Sequence, residues 1–296
     1  MSEKPQVSVI VPAYNEAAAI EGVLVELEAA LNSTDAGLSY EILVIDDGST
    51  DETAAIAERH SANRSGQRVL RHGFNQGYGA ALKTGIQAAR GEWIVITDSD
   101  GTYPNERIPE LAAMMADWDM VVGARVGGDV SIPLVRRPAK WALNTLANAL
   151  VGTDIPDLNS GLRVFRRDLA VSFLPILPNG FSFTTTITLA MLSESYRVTF
   201  VPIDYFARQG RSKIRPIYDT LNFMQLIIRT VLYFNPLKVF LPLSLFFFLA
   251  GVTVGLVSKL VFGRLLDVTT NVLLFTGVQV LMLGMLADLI DKRGRL

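Results

Sequence analysis

Trp93-Ile94-Val95-Ile96-Thr97-Asp98-Ser99-Asp100 decides the reading of this 296-residue chain. The first five residues have the length and composition of a buried strand, and the run stops on two carboxylates one residue apart. Such a strand puts both acids at the carboxyl edge of a sheet, where they can face one divalent cation. Carboxylates this close repel each other unless something positive lies between them. Hard oxygen ligands suit Mg²⁺ or Mn²⁺, which combine one or two carboxylates with substrate phosphates. The pair therefore points to a nucleotide-phosphate substrate. An acidic turn explains an isolated pair more simply, so the surrounding residues have to decide.

Upstream, strand and helix signals alternate as in a parallel sheet with helical crossovers. Strands are expected at Val7–Val11, Glu41–Ile45, Arg68–Leu70, Trp93–Thr97 and Met120–Val122. Helices are expected at Ala17–Leu31, Asp51–Arg59, Gly77–Ala89 and Pro104–Ala116. Open sheets of this type bind ligands at the carboxyl ends of their strands. Pro12-Ala13-Tyr14-Asn15-Glu16 follows the first strand and Asp46-Asp47-Gly48-Ser49-Thr50-Asp51 the second. Ser49 or Thr50 would cap the next helix, but capping does not need two acids before the glycine. Three acidic clusters at one sheet edge read together as a nucleotide and metal site. The glycines of Asn75-Gln76-Gly77-Tyr78-Gly79-Ala80 are explained by close packing more simply than by phosphate binding, and the Walker lysine spacing is absent. His60 and His72 have no visible catalytic partner.

After Arg125 the alternation breaks down. Ala139–Leu150 and Thr184–Ser193 look helical, Val198–Tyr205 strand-like, and residues 154–161 a turn-rich loop. Pro12–Glu16, Asp46–Asp51 and Asp98–Asp100, in this order and spacing, resemble family 2 glycosyltransferases of the GT-A fold, over roughly residues 5–125. Val122-Gly123-Ala124-Arg125, the stretch from Asp157 to Arg163, and Arg208–Lys213 look like the polyprenyl-phosphate branch, which includes dolichyl-phosphate mannose synthases. The fold class expected is accordingly α/β, with a Rossmann-like, mostly parallel sheet.

This resemblance implies roles. Pro12, Tyr14, Glu16, Asp46 and Asp47 would hold base and ribose, while Asp98 and Asp100 would serve the metal (Mg²⁺ or Mn²⁺) and the donor diphosphate. Asp157 would orient sugar or acceptor, although an acid there also shapes a turn. Some family members place a glutamine ligand where this chain has Thr102, so a hydroxyl or water would replace it. The Gln-x-x-Arg-Trp motif of processive synthases is absent. A lipid monophosphate is largely ionised at pH 7, so cations to hold it matter more than a general base. Arg125, Arg136, Arg137, Arg163, Arg208, Arg211, Lys213 and Arg215 supply them. Arg125, Arg208, Lys213 and one of Arg136 and Arg137 are the acceptor or diphosphate ligands expected, whereas Arg166 and Arg167 read as solvated helix-end charges. Attraction to anionic lipid explains residues 211–215 about as well.

Formal net charge is -2, which gives no bulk basicity for nucleic acid, and the lack of cysteine excludes disulfides and thiolate metal sites. Half of the residues are hydrophobic, an excess concentrated in Val239–Ser258 and Val268–Ala287. Each runs about 20 residues without a charge, the length that crosses a bilayer. A catalytic domain over 1–215, a juxtamembrane helix over 216–236, spans within 237–290 and a basic tail over 291–296 are expected. Tyr218–Phe234 reads as an interface helix, though a core helix explains it nearly as well. Arg229, Lys238, Lys292, Arg293 and Arg295 against Lys259 and Arg264 in the loop favour a cytosolic catalytic domain. Residues 1–5 show no signal-peptide core. A homo-oligomer suits a two-span chain, but no residue demands it.

The expected activity is transfer of one hexose, with inversion, from a UDP- or GDP-sugar to dolichyl or undecaprenyl phosphate. A sugar nucleotidyltransferase and a non-catalytic sugar-nucleotide-binding membrane protein are the other classes; the first lacks its glycine- and lysine-rich nucleotide loop here.

Overall fold

The computed structural model describes residues 4–33, 37–62, 64–126, 145, 147–149, 151–206, 216–263 and 267–294. The alternation read from the sequence forms β1 (Val7–Ala13), α1 (Ile20–Leu31), β2 (Tyr40–Asp46), α2 (Thr53–Ser61), β3 (Gln67–Arg71), α3 (Tyr78–Ala88), β4 (Trp93–Ile96) and β5 (Met120–Ala124). The helix expected over 104–116 is shorter. Here α4 (Ile108–Ala113) is flanked by 3₁₀ turns at Asn105–Arg107 and Met114–Ala116, with Pro109 at its start where no N–H is needed.

Two elements were not anticipated, β6 (Arg163–Arg166) and α5 (Arg167–Phe173). They are followed by α6 (Phe183–Ser193) and β7 (Val198–Pro202), which stops short of the expected Tyr205. The strand order is β3-β2-β1-β4-β6-β5-β7. All pairings are parallel except those of β6, which runs antiparallel between β4 and β5. Pro12 fits inside β1 because pairing with β4 stops at Ile10↔Ile96, so beyond that point β1 has only β2 beside it.

Both sheet faces are covered. Val9, Val11, Leu24, Leu27, Val95, Leu111 and Val164 form one core, and Ile10, Leu43, Leu82, Ile86, Ile96, Phe165 and Ile187 the other. Gly85 lets α3 sit on β1, since a β-carbon there would lie 2.5 Å from Ile10 Cγ2.

Then come α7 (Pro216–Phe234), α8 (Leu237–Phe262) and α9 (Asp267–Gly294). Ile227 and Val231 of α7 are buried, so its second half has a packed face and an exposed one carrying Gln225, Arg229 and Tyr233. The apolar stretches Leu237–Val261 and Val268–Ile290 are long enough to cross a membrane, and most of their side chains lie on the outside of the hairpin. The two helices approach through small residues: Ser244 Oγ donates to Gly277 O at 2.7 Å, and a β-carbon on Gly284 would lie 2.5 Å from Phe240 Cβ. Small residues play this part between helices in lipid.

Candidate active site

The β1 and β2 ends lie side by side, and their loops are stitched together. Asp47 N donates to Ala13 O (2.8 Å). Asn15, at φ 57°, donates its N–H to Ser49 Oγ (3.0 Å) and accepts from Thr50 N at Oδ1 (2.8 Å). Glu16 N donates to Thr53 Oγ1 (2.8 Å), and Thr53 N to Asp51 Oδ1 (3.0 Å). The acceptor at the start of α2 is therefore Asp51. Ser49 and Thr50, expected as caps, instead hold the first loop against the second. Burial works against the Asp51 charge, but these N–H and hydroxyl donors outweigh it and lower its pKa.

Asp46 and Asp47 differ in what they have left to offer. Asp47 Oδ1 meets His72 Nδ1 (2.6 Å) and accepts from Gln76 N (2.9 Å), while Oδ2 accepts from Gly77 N (2.8 Å). His72 Nε2 meets Thr84 Oγ1 (2.9 Å). The histidine that looked isolated thus supports an acid of the site, and the backbone N–H groups of the glycine-rich turn hold a carboxylate. Asp46 Oδ1 accepts from Ser49 N (3.3 Å), but among the described residues its buried Oδ2 has no hydrogen-bond donor and only Arg71 Nε at 3.7 Å. An acceptor in that condition is ready for a donor from a ligand. Tyr14 is exposed beside this pair and Pro12 is buried in the strand.

Asp98 and Asp100 leave the end of β4 as expected. Tyr78 OH, at the start of α3, donates to Asp98 Oδ1 (3.0 Å). Gly161 lies against the same carboxylate, where a β-carbon would come within 2.9 Å of Oδ2. Gly161 N donates to Tyr103 OH (2.6 Å). Burial and the Asp98 charge keep both tyrosines protonated, with pKa values raised above the usual phenol value. Thr102 turns its hydroxyl onto Asp100 Oδ1 (2.7 Å), so it supports the acid. Among the described residues no three acidic, histidine or cysteine side chains gather to hold a metal. The all-oxygen donor set fits Mg²⁺ or Mn²⁺ completed by phosphate and water.

The unanticipated β6 explains how the downstream motif reaches this edge. Because the strand is antiparallel, its first residue, Arg163, pairs with Ile96 at the end of β4. The preceding turn, Asp157–Leu162, is thereby brought beside Asp98. Across it, Arg125 at the end of β5 grips Asp157, Nε to Oδ2 at 2.7 Å and Nη2 to Oδ1 at 2.9 Å, with its N–H also on Oδ2 (3.0 Å). The guanidinium lies 5.1 Å from the Tyr205 ring centroid. Burial pushes the Asp157 carboxyl up, but Arg125 outweighs it and holds the acid below its usual range.

Arg163, counted among the phosphate-binding cations, is fully buried. It donates to Ser160 O, Thr184 O and Thr188 Oγ1. Burial lowers its pKa to about 10. It pins the turn to α6 and is not exposed to a ligand. Arg166 and Arg167 do sit at the start of α5, with Arg166 paired to Asp168 at 2.7 Å. Arg136, Arg137, Arg208, Arg211, Lys213 and Arg215 lie outside the described residues. Sequence reasoning missed His72, Tyr78, Tyr103 and Gly161; the only trace of Tyr78 was its place in the glycine-rich turn.

A mostly parallel sheet with acidic loops along its carboxyl edge, followed by a hairpin of two helices long and apolar enough to cross a membrane, has the layout of a GT-A domain with a C-terminal helical hairpin. Residues 8–173 match the glycosyl transferase family 2 profile, and residues 235–292 match the GtrB C-terminal hairpin. The chain belongs to glycosyl transferase family 2 and is a glycosyltransferase. It is 32% identical over 211 residues to a dolichyl-phosphate hexose transferase of Haloferax volcanii, covering 71% of this chain and 86% of that one. It is 29% identical over 315 residues to an undecaprenyl-phosphate 4-deoxy-4-formamido-L-arabinose transferase of Pseudomonas paraeruginosa, covering 97% and 85%. A crystal structure of glucosyl-3-phosphoglycerate synthase from Mycobacterium tuberculosis, with Mn²⁺, UDP and phosphoglyceric acid, shares the fold with a TM-score of 0.58 at 24% identity, covering 77% and 78%.

Proposed function

We propose that this protein moves one hexose from a UDP- or GDP-sugar to dolichyl or undecaprenyl phosphate, with inversion at C1 and with Mg²⁺ or Mn²⁺ at Asp98 and Asp100. The observation that carries the reading is the approach of the Asp157–Leu162 turn to Asp98. It brings a carboxylate–guanidinium pair and an acidic pair to one edge, as transfer between two phosphates requires. The named relatives act on polyprenyl phosphates, and the hairpin match extends the likeness beyond the catalytic domain.

Asp46, whose buried Oδ2 has only Arg71 Nε at 3.7 Å among the described residues, accepts from the base, with Pro12, Tyr14 and Glu16 of the neighbouring strand end and loop holding base and ribose. Asp47 holds the Gln76–Gly77 turn and so acts on the nucleotide through position. A divalent ion at Asp98 and Asp100 would stabilise charge on the departing diphosphate. The acceptor phosphate oxygen bonds to C1 as the C1–O bond to the diphosphate breaks, releasing nucleoside diphosphate. No base has to remove a proton, because the monoester is already ionised. Asp157 suits this, since a carboxylate held below its usual pKa is a poor proton acceptor at neutral pH. Its work is to fix Arg125 through Nε and Nη2 so that the guanidinium meets phosphate, with Arg136, Arg137, Arg208 and Lys213 completing the cation set. The catalytic domain lies on the cytosolic side.

The test is a panel of UDP- and GDP-sugars offered to the purified chain with polyprenyl phosphate and Mn²⁺ or Mg²⁺. One donor should give nucleotide release that depends on the lipid. Lipid-independent release, or none with any donor, would overturn the reading.

A further inference from the structure

The turn that carries Asp157 also presents a side-chain amide, that of Asn159. This residue is exposed, and it stands two positions from Asp157 and two from Gly161. Its N–H donates to Asp157 Oδ1 (3.1 Å), and its side-chain Oδ1 accepts from Thr185 Oγ1 in the first turn of α6. Thr185 is fully buried. Thr186 and Thr188 on the same helix donate their hydroxyls to the carbonyls of Ser182 and Thr184, four residues back, at 2.9 and 2.8 Å. Helical threonines commonly settle their hydroxyls this way. Thr185 instead reaches across to the turn.

A buried hydroxyl has to find an acceptor, and here it is Asn159 Oδ1. Arg163 ties the same turn to α6 through Ser160 O, Thr184 O and Thr188 Oγ1. The amide is therefore held at its oxygen end, while its Nδ2 has no acceptor among the described residues. Its position decides what that donor meets. On one side of Asn159, Gly161 lies against Asp98, the acid proposed to serve the donor diphosphate. On the other, Asp157 fixes Arg125, proposed to meet the acceptor phosphate. In a displacement at C1 the transferred hexose lies between the leaving and the attacking phosphate. It presents hydroxyls, each able to accept an N–H.

We infer that Asn159 is a specificity-determining residue for the donor, giving an Nδ2 hydrogen bond to a hydroxyl of the transferred hexose, and that Thr185 is the positioning residue that fixes the amide for this contact. A site built to hydrogen-bond a hydroxyl rejects a sugar that lacks it or carries it in another orientation, because the polar group of the site is then left unpaired. Asn159→Ala removes the donor itself. Thr185→Val keeps nearly the same shape and removes only the restraint, leaving the exposed Asn159 amide free to turn toward water.

The inference rests on the sugar transfer proposed above, but its test needs neither lipid acceptor nor turnover. Isothermal titration calorimetry of the full-length protein in detergent, with Mn²⁺ and without polyprenyl phosphate, compares UDP-glucose, UDP-galactose and GDP-mannose with UDP and GDP. The sugar nucleotide that the native protein binds best should bind about 3–10-fold more weakly to Asn159→Ala, while affinity for the matching nucleoside diphosphate changes by less than about twofold. Thr185→Val should show the same selective loss, and Thr185→Ser, which keeps the hydroxyl, should not. Equal weakening of sugar nucleotide and nucleoside diphosphate, the mark of a merely structural role, would overturn the inference. So would an undiminished sugar-nucleotide affinity in Asn159→Ala or in Thr185→Val. A native protein that binds none of the five ligands would bring down the proposed nucleotide site, and this inference with it.

Discussion

Arg125 holds Asp157 by both carboxylate oxygens, at 2.7 and 2.9 Å, across the gap between the end of β5 and the turn that leads into β6. Neither residue acts alone: the acid sets the plane of the guanidinium, and the guanidinium keeps the acid ionised. Asp157→Asn should therefore loosen Arg125 and raise the KM for the lipid phosphate more than the KM for the donor. It should also cost about 2–3 kcal/mol of stability, because it breaks a largely buried charged pair from one side. Steady-state kinetics with each substrate varied in turn checks the first point, and denaturant unfolding the second.

The same pair gives a pH dependence. The folded pKa of Asp157 lies below its unfolded value of about 3.9. Its contribution is then fully present above the unfolded value and is lost as pH falls through the folded one. The Tm difference between the native protein and Asp157→Asn should hold steady from about pH 6 to 8 and narrow below about pH 4. A gap that widens in acid would contradict the assignment.

Tyr78→Phe removes the hydroxyl from Asp98 while keeping the ring stacked 5.6 Å from Phe181. Loss of such an outer partner typically costs about 10–100-fold in metal affinity or activity. The variant should fold normally and need a correspondingly higher Mn²⁺ or Mg²⁺ concentration for half-maximal rate, which a metal titration of the initial rate reads directly.

Gly161→Ala places a methyl within 2.9–3.1 Å of three atoms of the Asp98 carboxyl group. The neighbour that has to give way is a proposed metal ligand, so activity should fall well beyond any change in Tm. Parallel unfolding and rate measurements separate the two effects.

The parallel half of the sheet was legible because local patterning carries it: β-branched runs, helical spacing at Ile20, Leu24, Leu27 and Leu31, and acids at strand ends. The antiparallel β6 was not. Its four residues, Arg163-Val164-Phe165-Arg166, are bounded by charges, and its partners lie far away in sequence, so no local period announces it. Everything that depends on β6 was hidden with it, including Gly161 against Asp98 and the burial of Arg163. The acids themselves were readable by type and spacing, but their division of labour was not. Only the fold reveals that Asp47 is engaged by His72 and two backbone N–H groups while Asp46 keeps a buried oxygen that no described residue supplies with a hydrogen-bond donor.

The most direct test of the central claim compares the native protein with Asp100→Asn in lipid-dependent release of nucleoside diphosphate, each with and without a chelator. The account predicts release by the native protein that stops when the metal is removed, and none by a folded Asp100→Asn variant under either condition. Undiminished turnover by the purified variant, or native release indifferent to the chelator, would contradict it.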